Sequence, residues 1–527
     1  MIPFDKIREE KLIQLAQERF NPELWPAEKK VLHDSASSVD PVPPNPEEER
    51  LTIRTDFVRW LATDPEAAQN IDPKGLRVWG ATLHGKLDFE ECRVFPTLYI
   101  RQCTLLGDIN LMSAEAKGLF ITKSDVFGSI QADGITVHGP ISLRESTFSG
   151  EIRMLGASIE SEFSCSGAKL TCQGDALSLD NAKIGNNVFL SEGFESLGAI
   201  RLLNTQISGN LECIGAKVAA VYCKNMQVTG DFIWQRIKKS EDAQLKLIGA
   251  KVKNLRDDRE SWPAEGKLGL DGLVYEELTL HKRQQEGDIK QDKLGDALPL
   301  DAKERIDWLL LQGQDRCTEP QPWMQLRELL ETKGDHKGAK HVLFKLKCLR
   351  YTRREWHPWL GIRAGFSYVR RILAFLFQRW DTEHPAWPYF RHPNRSWAIA
   401  FAWLEEAPAR ILWSITATVL LGWIIFGYAD AKRAIAPTEP EAYMAFKVNN
   451  PMPGAYPKLS PLVYTIENTV PLFKLGQDEK WAPDQSYSAT NWFTNYWFLM
   501  WARWLLILLG WFQAAVLGAA LLGRFKE

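Results

Sequence analysis

Between residues 81 and 234 one pattern returns roughly every 11 residues: a small residue or Cys, a spacer, an apolar residue, a spacer, Gly or another small residue, then spacer, apolar, spacer, apolar. ATLHGKLDF (81–89), CRVFPTLYI (92–100), CTLLGDINL (103–111), STFSGEIRM (146–154) and MQVTGDFIW (226–234) carry it. Its centre falls at Gly85, Pro96, Gly107, Gly118, Gly128, Gly139 and Gly150. Alternation with a period of two belongs to a strand, whose successive side chains point to opposite faces. Each run is short and then interrupted, so a helix has no use for it, whereas a short strand ending in a tight corner does. Gly at that corner would admit positive φ and let stacked backbones approach. Two units make about 22 residues, one coil of a solenoid.

The repeat therefore predicts a mainly β fold, a right-handed parallel β-solenoid over residues 71–280. The alternation places Leu87, Ile109, Ile130, Ile141, Ile152, Phe163, Val188, Leu211 and Phe232 inside, since a slip of one residue would send all of them to solvent. Cys92, Cys103, Cys165, Cys213 and Cys223 also fall on apolar positions, where they read as reduced thiols packing a narrow core. An open solenoid end exposes a strand edge and needs a cap. LTIRTDFVRWLATD (51–64), with Leu51, Phe57, Val58 and Leu61 at near-helical spacing, is the expected helical N-terminal cap in a cap-and-linker region over 1–70; PVPPNPEEE (41–49) is its Pro-rich linker, and the charged stretch from Met1 to Phe20 is a helix without a secretory signal.

After residue 280 the period changes. KRQQEGDIKQDKLGDALPLDAKE reads as a polar loop or insertion, and AKERIDWLLLQGQ (302–314) and residues 320–354 turn helical within a juxtamembrane region over 281–400. Trp323, Leu326, Leu329 and Leu330 form one face and Ala339, Val342, Leu343 and Leu346 another; Gly334 between them predicts a C-cap, and the helix pair is expected to be a packed cap. Residues 337–410 interleave Lys and Arg with aromatics. Just before an apolar segment, this favours contact with anionic lipid over single-stranded nucleic acid. The net charge of -2 offers no global field for nucleic acid either.

Most of the 21 Trp lie after residue 350, as expected if the two ends of the chain meet different solvents. ILWSITATVLLGWIIFGYA (411–429) and WLLILLGWFQAAVLGAALLG (504–523) are long and apolar enough to span, which predicts a two-span transmembrane module over 401–527 with an extracytoplasmic loop at 431–495. The Lys/Arg bias places both termini in the cytoplasm, on a bacterial inner membrane. Gly510, Ala514 and Gly518 form a small-residue face suited to helix packing and to a homo-oligomer. LVYTIENTVPLF, too short to span, is an interfacial helix, a re-entrant element or a packed loop. Glu467, Asn468 and Arg503 are the candidate pore or re-entrant residues. Glu467 and Arg503 pair if the 461–475 segment dips back into the bundle, and Glu467 would then form a ring that sets cation preference.

Signatures of catalysis do not stand out. The 8 Cys include no CxxC pair, and His357, His384 and His392 lack metal-ligand spacing. GxGxxG opening a helix, GxxxxGK[ST], HExxH, GxSxG and a TVGYG-type filter are not found. No catalytic, cofactor or metal residues are assigned.

The Gly-centred repeats, LDGLVYEEL followed by PQPWMQLRELLETKGDHKGAKHVL, and IENTVPLFKLGQDEKW together resemble bacterial pentapeptide-repeat-like β-solenoid proteins with a C-terminal two-span membrane module. A spacing of 11 in place of 10 departs from the regular pentapeptide coil and questions its four sides. Proteins of this kind are often described as membrane-associated oxidoreductases, but the resemblance implies no particular reaction. The leading expectation is a membrane-anchored, oligomeric solenoid that serves as an interaction or sensing platform for a cytoplasmic protein partner. An oligomeric ion channel with a solenoid regulatory domain is the alternative, and an oxidoreductase the third.

Overall fold

The computed structural model describes residues 4–20, 23–41, 51–281, 297–313, 316–353, 408–454, 456–470, 473–488 and 491–524. The chain forms two compact units, Met1–Leu346 and Lys347–Glu527. The first is a parallel β-solenoid of about nine turns.

Its short strands stack in four columns. In one, Leu76, Leu98, Leu119, Ile141, Phe163, Val188, Leu211, Phe232, Leu255 and Leu278 lie in register. In the next, the ladder begins Ile53, Leu83, Leu105, Val126, Phe148, Leu170. The third runs Leu87, Ile109, Ile130, Ile152, Leu177, Ile200, Val221, Leu245, Leu268. The fourth runs Val94, Ala116, Val137, Ile159, Ile184, Ile207, Val228, Val252, Tyr275. All nine side chains expected inside are buried. The coil is thus four-sided after all. Leu83 to Leu87 is a step of four residues and Leu87 to Val94 a step of seven, and the two alternate to make the 11-residue repeat.

The two kinds of corner use different residues. On the seven-residue step one residue adopts positive φ in nearly every coil: Glu91, Ser113, Gly134, Gly156, Asn181, Asn204, Asn225, Gly249, Gly272 along one edge. The central Gly of the repeat serves another purpose. Of the seven centres noted above only Gly85 has positive φ. A Cβ on Gly107 would run into the backbone of Gly85, and one on Gly128 into the backbone of Gly107. Glycine is required there because successive coils touch backbone to backbone.

The N-terminal cap is built from α1 (Phe4–Arg19), α2 (Pro26–Ala36), α3 (Thr55–Thr63) and α4 (Pro65–Gln69). Residues 51–54, expected to be helical, instead form a strand parallel to Ala81–His84. The Leu-Thr-Ile-Arg alternation lets Ile53 extend the inner ladder below Leu83 and leaves Leu51 exposed on the outermost strand. Arg54 then reaches the buried Glu28 through two hydrogen bonds of 2.6 Å, while the Glu28 carboxylate also accepts from Trp25 N. The guanidinium lies 5.0 Å from the ring centres of both Phe20 and Trp25. Outside the described residues lie 42–49 of the Pro-rich linker (41–49), 282–296 of the polar stretch (282–304) and 354–407 of the basic stretch (337–410), with His357, His384 and His392.

At the other end, α5 (Ala302–Leu310), α6 (Pro320–Thr332) and α7 (His336–Arg353) close the last coil. Side-chain amides supply the partners that a further coil would have supplied. Gln312 Oε1 accepts from Leu270 N, Gln321 accepts from Gly272 N and donates to Leu273 O, and Gln325 donates to Tyr275 O. Arg305 and Asp257 form a buried bidentate pair at 2.7 Å, with Trp262 Nε1 also donating to Asp257. Gly334 has φ +83°, and Asp335 N turns back to Leu330 O, the expected C-cap. Trp323, Leu326 and Leu330 of α6 and Ala339 and Val342 of α7 are buried.

The second unit contains α8 (Pro408–Ala431), α9 (Pro440–Val448), α10 (Pro461–Thr469), the single turn α11 (Gln477–Lys480) and α12 (Tyr496–Arg524). Ile411–Ala431 and Tyr496–Gly518 are long and apolar enough to cross a bilayer. The second apolar helix starts at Tyr496, ahead of the residue 504 read from the sequence, so Arg503 lies within it. The connecting loop is folded. Ile435–Pro437 pairs antiparallel with Trp481–Pro483, and Phe426, Ala429, Ala434, Ile435, Tyr464, Trp481, Leu499 and Leu506 share one core.

Candidate functional site

The candidate site is the place where α10 meets α8 and α12. Two glycines make it possible. A Cβ on Gly422 of α8 would overlap Thr465 and lie 2.9 Å from Leu506 Cδ1, and a Cβ on Gly510 of α12 would overlap the Thr469 carbonyl. Pro461, at the start of α10, is level with Gly427. The short helix therefore runs between the two long ones, from near the C-terminal end of α8 to the middle of α12. Tyr464 is fully buried against Phe426, ring edge to ring face at 5.0 Å.

After Thr469 the chain turns back. The Glu467 carboxylate organises the return by accepting four backbone N–H groups: Leu475 and Gly476 at 2.7 Å, Gln477 at 2.8 Å and Asp478 at 3.1 Å. Gly476 has φ +79°, which aims the amides that follow it at one acceptor.

The pairing of Glu467 with Arg503 that a re-entrant segment would bring is replaced by a wider arrangement. Arg503 Nε donates to Asn468 Oδ1 at 2.8 Å, and its Nη2 donates to Asp478 O at 3.3 Å and lies 3.8 Å from the Asp478 carboxylate. All three residues singled out from the sequence thus gather in one cluster, but Asp478 stands between Glu467 and Arg503. The returning segment sets its own amides beside Glu467 and satisfies the carboxylate there, so the guanidinium bonds to Asn468 and Asp478 instead.

The small-residue face also divides. Gly510 receives α10, whereas a Cβ on Gly518 would meet nothing within 4 Å. Ala514 is half-buried. Below α10 the two long helices are linked directly, by Gln513 Nε2 donating to Thr418 Oγ1 at 2.9 Å and Ser414 Oγ at 3.3 Å. Gly422, Asp478 and Gln513 were not anticipated from the sequence. The signal for the carboxylate nest was Gly476 followed by the polar run Gln-Asp-Glu, a helix-start pattern in the wrong context for a loop.

In the solenoid, burial raises the thiols of Cys165, Cys213 and Cys223 far above their ordinary range, which keeps them protonated. Cys103 is buried as expected, and Cys92 only half-buried beside Arg59. Among the described residues no group of three or more His, Cys, Asp or Glu is placed to hold a metal ion. No family model, curated protein or solved structure matches the chain at a significant level.

Proposed function

We propose that this chain is a membrane-anchored β-solenoid protein, of the pentapeptide-repeat-like kind, whose solenoid is a rigid interaction or sensing platform on the cytoplasmic face of a bacterial inner membrane. Two spans anchor it, and copies of the span module assemble. One observation carries the reading: two span-length apolar helices enclose a third helix that ends between them, in the same chain as a solenoid whose two edges are closed by helices. With both edges capped, only the lateral faces of the coils are free for a partner.

The same observation favours assembly. Rising about 1.5 Å per residue, Gly422 lies roughly 16 Å from Ile411, close to the centre of a 30 Å hydrocarbon layer. Residues 473–476, which follow α10, are then irregular backbone at bilayer depth, which is tolerated only against protein or a water-filled space. Neighbouring copies supply that cover. This also supports a second reading, a pore with the 461–475 segment as its re-entrant element and the solenoid as its regulatory domain.

The mass of the full-length protein in nanodiscs tests the assembly. A defined oligomer is expected; a monomer in nanodiscs and in several mild detergents would exclude both the oligomeric anchor and the pore. Conductance of the oligomer in planar bilayers separates the two.

A further inference from the structure

We infer that α8, α10 and α12 meet on a buried polar site that holds one water molecule, bound by Thr469 and Gln513. Two hydrogen-bonding atoms there have no partner among the described residues, Thr469 Oγ1 and Gln513 Oε1, on residues that are 2% and 7% exposed. The helices bring both to one level. Pro461 of α10 is level with Gly427 of α8, and Thr465 packs on Gly422. One further turn along α10 reaches Thr469, and one turn back along α8 reaches Thr418. Gln513 bonds to Thr418, and it stands one turn of α12 from Gly510, the residue that receives the Thr469 carbonyl.

Its neighbours orient the Gln513 amide. Ser414 Oγ donates to Ile411 O at 2.9 Å, and Thr418 Oγ1 donates to Ser414 O at 2.8 Å. With their protons committed, both hydroxyls can only accept, so Gln513 turns Nε2 toward α8 and keeps Oε1 on the other side of the amide. The Thr469 carbonyl receives nothing from Phe473 N, four residues on, which donates to Val470 O at 3.1 Å. Two acceptors, Gln513 Oε1 and Thr469 O, are thus left with one donor, the Thr469 hydroxyl. A water molecule closes the balance by donating twice and accepting once, the three hydrogen bonds typical of a buried water. A bare cation would take up the oxygens and leave the hydroxyl proton without an acceptor. Lipid offers no donor either, since Thr418 lies roughly 10 Å along the apolar helix that starts at Ile411. Every group in the site belongs to one chain, so the site does not depend on assembly or on a pore.

The test is the melting temperature (Tm) of the full-length protein in detergent. With a water on Thr469 Oγ1, Thr469→Val should lower Tm by about 2–4 °C, the scale of one lost hydrogen bond in a unit of this size. Thr469→Ser, which keeps the hydroxyl, should stay close to the wild type. In a Gln513→Leu background, where the water has already lost its other side chain, Thr469→Val should cost less. An unpartnered hydroxyl gives the opposite sign, because Val then removes a buried polar group that nothing satisfies. A Tm unchanged or raised by Thr469→Val therefore overturns the inference. So does an equal loss in both backgrounds, which puts the partner of Thr469 elsewhere. A wild-type Tm that rises in NaCl but not in choline chloride, with the rise lost in Gln513→Leu, overturns the water in favour of a sodium ion. If Gln513→Leu fails to fold, the sign for Thr469→Val alone decides, together with an experimental map that resolves ordered water. Density within hydrogen-bond distance of both side chains supports the site, and its absence from such a map overturns it.

Discussion

At the residue scale, the solenoid uses groups of known reactivity as filling. Cys165, Cys213 and Cys223 follow the inward Phe163, Leu211 and Val221 by two residues and share their burial. Their folded-state ionisation lies far above that of an unfolded thiol near pH 9, so the folded chain holds protons that the unfolded chain releases. The stability they contribute is complete below about pH 9 and falls as pH rises beyond it, by up to about 1.4 kcal/mol per pH unit for each thiol. Urea midpoints at pH 8 and pH 10 should show this loss, and a variant with all three changed to Ala should show less of it. In native protein a thiol reagent should reach Cys92 and Cys172 first; rapid labelling of Cys165 would contradict the packing. Ile141 supplies a sharper check. It sits in register between Leu119 and Phe163 with no exposure. Ile141→Asp should cost at least about 3 kcal/mol, because the aspartate has no partner in the ladder. An unchanged thermal midpoint would mean that the register is wrong.

At the element scale, the small helix α10 depends on two positions in its neighbours. Gly510 has no room for a side chain, since the obstacle is the Thr469 carbonyl, a backbone atom that cannot rotate away. Gly518, two turns further on, faces open space. Gly510→Val should therefore destabilise the module by about 1–3 kcal/mol through overpacking, and release α10 from α12. Gly518→Val should leave the melting temperature of the detergent-solubilised protein unchanged unless another copy packs there, in which case the oligomer weakens while the monomer fold persists. Equal effects of the two substitutions on monomer stability would argue against the placement of α10. The end caps follow the same logic in the solenoid: Gln312, Gln321 and Gln325 act as a substitute strand edge and occupy backbone groups of Leu270, Gly272, Leu273 and Tyr275 that an open coil would offer to another chain.

At the scale of the whole molecule, the proposal joins a polar solenoid to an apolar module through a basic segment. In the proposed topology, the Lys/Arg bias of residues 337–410 and of Arg524 and Lys526 puts both ends of the span module on the cytoplasmic side. A reporter fused after Glu527 should behave as cytoplasmic, and one inserted at Pro453, in the loop between the apolar helices, as periplasmic. The opposite result would invert the anchor, and with it the side on which the solenoid meets its partner.

The sequence by itself determined what depends on periodicity and on length. Alternation placed Leu87 through Phe232 inside, and the lengths of the apolar runs located the two long helices, because these signals are local and repeat. It also singled out Glu467, Asn468 and Arg503, with Glu467 near Arg503 only if the 461–475 segment dipped back into the bundle. Their partners were decided by tertiary structure alone. Residues 51–54 became a strand because Leu83 offered a ladder to extend, against a helical spacing that looked adequate in isolation. Of the two roles expected of the repeat glycines, the close approach of stacked backbones holds, whereas positive φ is found only at Gly85 among the seven centres, because the corners that need it fall on other residues. Glu467 is held by four amides and not by Arg503 because the returning chain sets those donors against its carboxylate. A carboxylate takes the nearest satisfied geometry, and which donors are nearest is known only once the chain has folded back on itself.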